Sequence, residues 1–287
     1  MSKLNKGILL LLISSLGYAG MSFFIKLAGN DIPIIQKIFF RNLLTFFIAI
    51  YFVIKKHDSF IGHHGNRKIL LLRGVIGTFG ALANFYGVEH LLLPNAVILN
   101  QLGPFFIIIL SFVFLKEKIK KFQIGALVIA FLGIIVIIGP SGGGDLTASF
   151  VEILGAISIG IVFTCIRYLS DKESPQTIVF WFSAMSIFAS LPFVIFDYHY
   201  MNFTQVIYLL LAGVCTVFGQ FGATLAYKFA PAKDISIFGY SQVLFATLLS
   251  AIFFDALPTK INAIGYAVVI GAALISFIFS RRDRLKN

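Results

Sequence analysis

Seven stretches of this chain, 7–25, 91–115, 122–144, 174–196, 198–227, 235–254 and 261–280, contain no Asp, Glu, Lys or Arg. Each reaches or passes the roughly 18 apolar residues that a helix needs to cross the hydrocarbon of a bilayer. In lipid every backbone N–H and C=O must be satisfied within the fold, so apolar runs of this length become helices. Three more stretches are interrupted by charge: 33–54 carries Lys37 and Arg41, 69–88 carries Arg73, and 150–169 carries Arg167 near its end. Turn and breaker residues separate most of these spans, most clearly at 30–33, 139–144 and 171–175. The pattern predicts an all-α membrane protein with ten transmembrane helices. At about 20 residues each they take roughly 200 of the 287 residues, and no loop can hold a soluble catalytic domain. Composition agrees, with 59% hydrophobic and 12% charged residues, against about 25% charged in a typical soluble domain.

Charge then orients the spans. Lys3 and Lys6 ahead of 7–25 resemble the start of a signal peptide, but the run is long for a signal sequence and its small residues Ala19-Gly20 lie inside it, so an uncleaved first span is expected. With the N-terminus in the cytoplasm, 19 of the 23 basic residues fall at inner ends, Arg73 among them; Lys26 and Lys260 fall outside, and Lys37 and Arg41 lie within the second span. The formal charge of +11 is therefore chiefly an orientation signal, placing a multi-pass protein in the cytoplasmic (inner) membrane with both termini cytoplasmic. A nucleic-acid role is not expected. Cys165 and Cys215 sit in apolar stretches and read as packing residues, with no C-x-x-C motif.

The ten spans form two blocks, 1–140 and 150–280, followed by a basic cytoplasmic tail at 281–287. Residues 102–117 have a counterpart at 240–255, each an apolar helix ending in an acid, Glu117 or Asp255, and each followed by a glycine-rich helix. A Gly-rich link at 139–149 joins the blocks. An odd number of helices per block turns the second one upside down, the inverted-repeat arrangement of secondary transporters.

Several motifs resemble those of EamA-type members of the drug/metabolite transporter superfamily. They are Ile-Ile-Gln-Lys-Ile-Phe-Phe-Arg-Asn at 34–42, the segment 94–117 with Pro94 and Glu117, Tyr-Lys-Phe-Ala-Pro-Ala at 227–232, and the two five-helix blocks themselves. The resemblance covers nearly the whole chain. It implies a ten-helix carrier of small metabolites, often an exporter, with a central cavity bounded mainly by spans 1, 3, 4, 6, 8 and 9. The chain departs from the fuller pattern at Gln242, opposite Pro104, and at Asp255, where Glu is more usual.

Polar residues within the spans are the candidate substrate contacts, because an ionisable group in hydrocarbon faces protein or water. Arg41 lies about 12 Å into its span at 1.5 Å per residue, with Lys37 one turn above. Either Arg41 meets an anionic substrate in a water-filled vestibule or it forms an ion pair with Glu89 or Asp31; Lys37 can share the vestibule or snorkel. Asn84 lies on the same face as the small residues Gly74, Gly77 and Ala81, and Asn100 and Gln101 lie at comparable depth. Gln220 sits between Thr216 and Thr224 at helical spacing, Tyr18 and Ser22 are one turn apart, and Tyr240 and Gln242 open the ninth span. The candidate set is thus Tyr18, Ser22, Arg41, Asn84, Asn100, Gln101, Gln220, Tyr240 and Gln242. Each of these groups can instead bond a neighbouring helix.

No H-E-x-x-H, G-x-S-x-G or G-x-x-x-x-G-K-[ST] occurs, so neither an enzyme, a cofactor nor a metal is indicated. The best acid/base pair for an intramembrane enzyme, Glu89-His90, is adjacent along a helix and points in two directions. The expected function is secondary transport of a small polar or zwitterionic, amino-acid-like metabolite by alternating access, as efflux or exchange. The alternatives are a carrier of nucleotide-derived metabolites or an intramembrane enzyme. Its partners are the small-molecule substrate and the lipid bilayer. A homodimer and the coupling mode stay open, proton antiport and facilitated exchange being equally credible with Glu89 and Asp234 the acids nearest the cavity spans.

Overall fold

The protein is represented by a computed structural model that describes residues 3–103, 105–106, 109–110, 121–138, 145–230 and 235–284. Pro104, Glu117, Lys116, Lys118, Lys120, Asp234, the glycine run at 139–144 and the tail at 285–287 lie outside the described residues. The described residues contain helices and no strand: α1 (Lys3–Leu27), α2 (Ile34–Lys55), α3 (Arg67–His90), α4 (Leu93–Asn100), α5 (Lys121–Ile138), α6 (Leu146–Leu169), α7 (Pro175–Phe196), α8 (Phe203–Phe229), α9 (Ser241–Phe253) and α10 (Lys260–Arg284). Short 3-10 turns, His64–Asn66 and Ser236–Tyr240, lead into α3 and α9. Seven helices are long and apolar enough to cross a bilayer: α1, α2, α3 with its preceding turn, α6, α7, α8 and the Lys260–Phe279 part of α10. The apolar parts of α5 and α9 are shorter.

Local chemistry sets several of the boundaries. Asp145 starts α6 by accepting from the Thr147 and Ala148 amides at 2.7 and 3.2 Å. Ser174 starts α7 by accepting from the Thr177 amide, and Pro175, whose missing N–H has no helical partner to lose, follows it. Asn202 and Gln205 form a reciprocal capping box on α8. At the other end of α3, Lys26 Nζ donates to the carbonyls of Val88 and Leu91 at 2.8 and 2.6 Å, so this cation caps a helix C-terminus.

The principal helix contacts pair α1 with α8, α3 with α6, α2 with α7 and α8, α3 with α7, α5 with α10, α1 with α9, and α4 with α6 and α9. Exchanging each helix for the one five places along the chain maps this set onto itself. The two largest cross-block seams share one construction. On α1, Ser14 and Gly17 meet Gly219 and Gly222 of α8; a Cβ at Gly17 would lie 2.7 Å from the Cys215 carbonyl and the Gly219 amide. On α6, Gly155 and Ser158 meet Ala83 and Gly80 of α3, a Cβ at Gly155 or Gly80 lying 3.1 Å from its neighbour. In lipid, where apolar side chains gain little from meeting each other, small residues that bring backbones together supply packing contact and hydrogen bonds. Ser14 Oγ adds one such bond, to the Gly219 carbonyl at 2.7 Å.

Candidate functional site

Between these seams lies a cavity of about 160 Å³. Side chains from α1, α2, α3, α4, α6, α7 and α8 line it, together with Gly239 and Gln242 at the start of α9. Of the candidate residues, Tyr18, Arg41, Asn84, Asn100, Gln101, Gln220 and Gln242 are brought together on its wall. Ser22 and Tyr240 are not on that wall; both are buried, with hydroxyls that have no hydrogen-bond partner. The cavity involves the helices implied by the family resemblance, plus α2 through Arg41 and α7 through Phe182.

Two guanidinium groups dominate its electrostatics. Arg41 is 2% exposed and Arg73 1%. Both stand against the ring of Phe182, with the Arg73 Cζ 4.5 Å and the Arg41 Cζ 5.8 Å from its centroid; Arg41 also lies 5.0 Å from the centroid of Phe85. Gly77 makes this possible, since a Cβ there would lie 3.0 Å from the Phe182 ring. Arg73 Nη2 donates to Gln220 Oε1 at 2.9 Å, and Arg41 Nη1 points at the sulfur of Met21 at 2.9 Å. The Nε and Nη2 of Arg41 and the Nε and Nη1 of Arg73 are buried with no hydrogen-bond partner. Among the described residues no carboxylate forms an ion pair with either arginine. Removing an unpaired cation from water costs several kcal/mol, and among the described residues the Phe182 and Phe85 rings, Gln220 and the Met21 sulfur face these two groups.

Arg41 thus does not take the ion pair that was one of its two expected roles. Glu89 pairs instead with Lys37, which is fully buried and also donates to the Gly29 carbonyl at 2.5 Å. Gly29 holds φ at +80°, a left-handed conformation suited to glycine, and thereby presents that carbonyl beyond the end of α1. Lys37 neither snorkels nor enters the cavity wall; from the start of α2 it ties the C-terminal ends of α1 and α3 together.

Arg73 changes role more sharply. Expected as an inner-end charge, it is buried on the cavity wall. Its signal is present in the sequence: Arg73, Gly77, Gly80 and Asn84 recur at helical spacing and all line the cavity. Glu152, near the start of α6, is the other residue that the sequence expectations omit. It is fully buried, and Asn84 Nδ2 and Asn100 Nδ2 both donate to its Oε1, at 2.8 and 2.6 Å. Glu152 thus bonds two residues of the cavity wall directly, while Glu89 is taken up by Lys37.

One pair of amides bonds across the cavity wall. Gln101 Nε2 donates to Gln242 Oε1 at 2.8 Å and to the Gly239 carbonyl at 3.1 Å, joining the blocks at α4 and α9. Thr216 and Thr224 donate to carbonyls one turn earlier in their own helix.

The sequence profile of the EamA-like transporter family matches residues 5–139 and 146–278. The chain belongs to the EamA-like transporter family. The pseudopaline exporter CntI of Pseudomonas aeruginosa is 27% identical over 273 residues, covering 94% of this chain and 95% of the exporter. An uncharacterized transporter of Helicobacter pylori is 24% identical over 98% of this chain and 97% of its own. Human solute carrier family 35 member G1 is 23% identical over 88% of this chain and 73% of its own. A crystal structure superposes with a TM-score of 0.71 at 14% identity, covering 97% of this chain and 98% of that one, a likeness of fold. The protein is a membrane transporter of small metabolites and not an enzyme.

Proposed function

We propose that the chain is a secondary transporter of a small polar or zwitterionic, carboxylate-bearing metabolite, acting by alternating access in export or exchange. Its ten spans form two inverted five-helix halves, 1–140 and 150–280, with the basic tail 281–287 and the N-terminus both in the cytoplasm of a cell whose inner membrane holds the protein. The observation that carries this reading is the pair Arg41 and Arg73, buried on one cavity wall with four guanidinium nitrogens unpartnered. A guanidinium presents a planar fork of N–H groups that matches a carboxylate in two-point contact. The helix contacts, which map onto themselves when the blocks are exchanged, support two halves that rock about this cavity. Transport needs no covalent chemistry, only a substrate that stabilises the inward- and outward-facing states differently. The relative named an exporter supports the outward direction.

Thermal stabilisation of the purified protein by a panel of amino acids, dicarboxylates, nucleosides, nucleotides and polyamines tests the substrate class. A ligand at a hundred times its Kd stabilises by about 2.7 kcal/mol. Carboxylate-bearing compounds are expected to raise the melting temperature and polyamines to leave it unchanged. Stabilisation by nucleotides alone would favour the nucleotide-derived class, since phosphate meets the same two arginines. Stabilisation by cations alone would contradict the proposal.

A further inference from the structure

Glu152 keeps one carboxylate oxygen without a partner. Its Oε1 accepts two amide hydrogens, from Asn84 on α3 and Asn100 on α4, while its Oε2 is fully buried with no hydrogen-bond partner. Oε2 abuts Gly87 of α3 so closely that a Cβ there would overlap it. A metal ion or a substrate ammonium does not fit in that space, whereas a proton does. From the two helices that pack on α6 here, α3 presents Asn84 and Gly87 and α4 presents Asn100, and among the described residues neither brings a titratable or charged side chain to the carboxyl. The formal charges of the adjoining cavity are Arg73, eleven residues and about 16 Å along α3 from Asn84, and Arg41 on α2.

We infer that Glu152 is a proton-binding site that links the state of the cavity to protons, an inference that rests on the cavity being the transport path. Asn84 and Asn100 both line the cavity, and through Glu152 they tie the first block to α6 of the second. Hydrogen bonds to an ionised carboxylate are roughly twice as strong as neutral ones. Ionised Glu152 grips both amides and holds the blocks together at this point. A proton on Oε2 leaves Oε1 as an ordinary carbonyl oxygen, weakens the grip, and releases two amide donors to a solute and to the movement of the blocks. The device binds or releases one proton, with no other bond made or broken.

Infrared difference spectroscopy of the full chain in lipid vesicles, with pH as the only variable, reads this directly. A buried carboxyl C=O band is expected to bleach as pH rises and to be missing in Glu152→Gln, whose amide oxygen still accepts from both asparagines. Asn84→Ala and Asn100→Ala should each move the midpoint by about one pH unit, the worth of one charge-assisted hydrogen bond. The wild-type melting temperature should change through the same pH window and the Glu152→Gln value should not. A titrating band that persists in Glu152→Gln, or the absence of any titrating buried carboxyl while the protein stays folded, would overturn the inference. If Glu152→Gln does not fold, unmoved midpoints in both asparagine variants would do the same. A negative ligand panel alongside a Glu152-dependent band would count against the substrate reading and leave the proton site standing.

Discussion

Arg73 shows how one residue can carry two meanings. Four residues into the charge-interrupted stretch 69–88, it reads as a cytoplasmic anchor by the positive-inside rule, yet its side chain lies against Phe182 with two nitrogens unpartnered. Arg41, deeper in its span, is legible as a buried group that meets either a substrate or an ion-pair partner, because a charge about 12 Å into the span must face protein or water. For Arg73 depth is ambiguous, and only the helical alignment with Gly77, Gly80 and Asn84 distinguishes the cases. Replacing either arginine by Gln should weaken binding of a carboxylate ligand about ten- to a hundredfold, the worth of a hydrogen bond to a charged group, without lowering the melting temperature of the free protein. Thermal titration with the stabilising ligand checks both halves of that statement. Lys37 should behave in the opposite way. Lys37→Met leaves Glu89 buried and unpaired, a loss of about 3–5 kcal/mol, and Lys37→Met with Glu89→Gln should recover most of it; a single variant as stable as wild type would show that the pair holds nothing together.

At the scale of the element, helix type follows from apolar run length, and Ser174-Pro175 marks the start of α7. Helices α6 and α8 start at 146 and 203 rather than at the expected 150 and 198, because Asp145 and Asn202 cap them. The pairing of α1 with α8 and α3 with α6 does not follow from run length, because two apolar helices look alike until small residues show which faces approach. Gly17 and Gly219 supply that specificity. Gly17→Leu would place a side chain against the backbone of Cys215 and Gly219, so the α1–α8 seam should open and the protein should be lost from the monodisperse fraction in size-exclusion chromatography. Gly125→Ala makes the contrast, since a Cβ there meets nothing within 4 Å. It should be neutral or stabilise by up to about 1 kcal/mol through better helix propensity. Equal behaviour of the two variants would refute the seam as the determinant of pairing.

For the whole molecule, the sequence carries the transporter class and its two-block order, but not the cavity's charge, because that depends on residues brought together from α2, α3 and α7. The proposed orientation puts residue 287 in the cytoplasm; a C-terminal tag reached by a membrane-impermeant reagent from outside intact cells would reverse it. The central claim is that Arg41 and Arg73 face one path through which an anionic solute crosses the bilayer. Counterflow of a radiolabelled carboxylate, chosen as the strongest stabiliser in the ligand panel, into proteoliposomes of wild type and of the Arg41→Gln and Arg73→Gln variants tests it most directly. Saturable uptake by wild type, reduced at least tenfold in each variant while both remain folded, is the expected result. Uptake that is equal in all three proteins, or no greater than in protein-free vesicles, would contradict it.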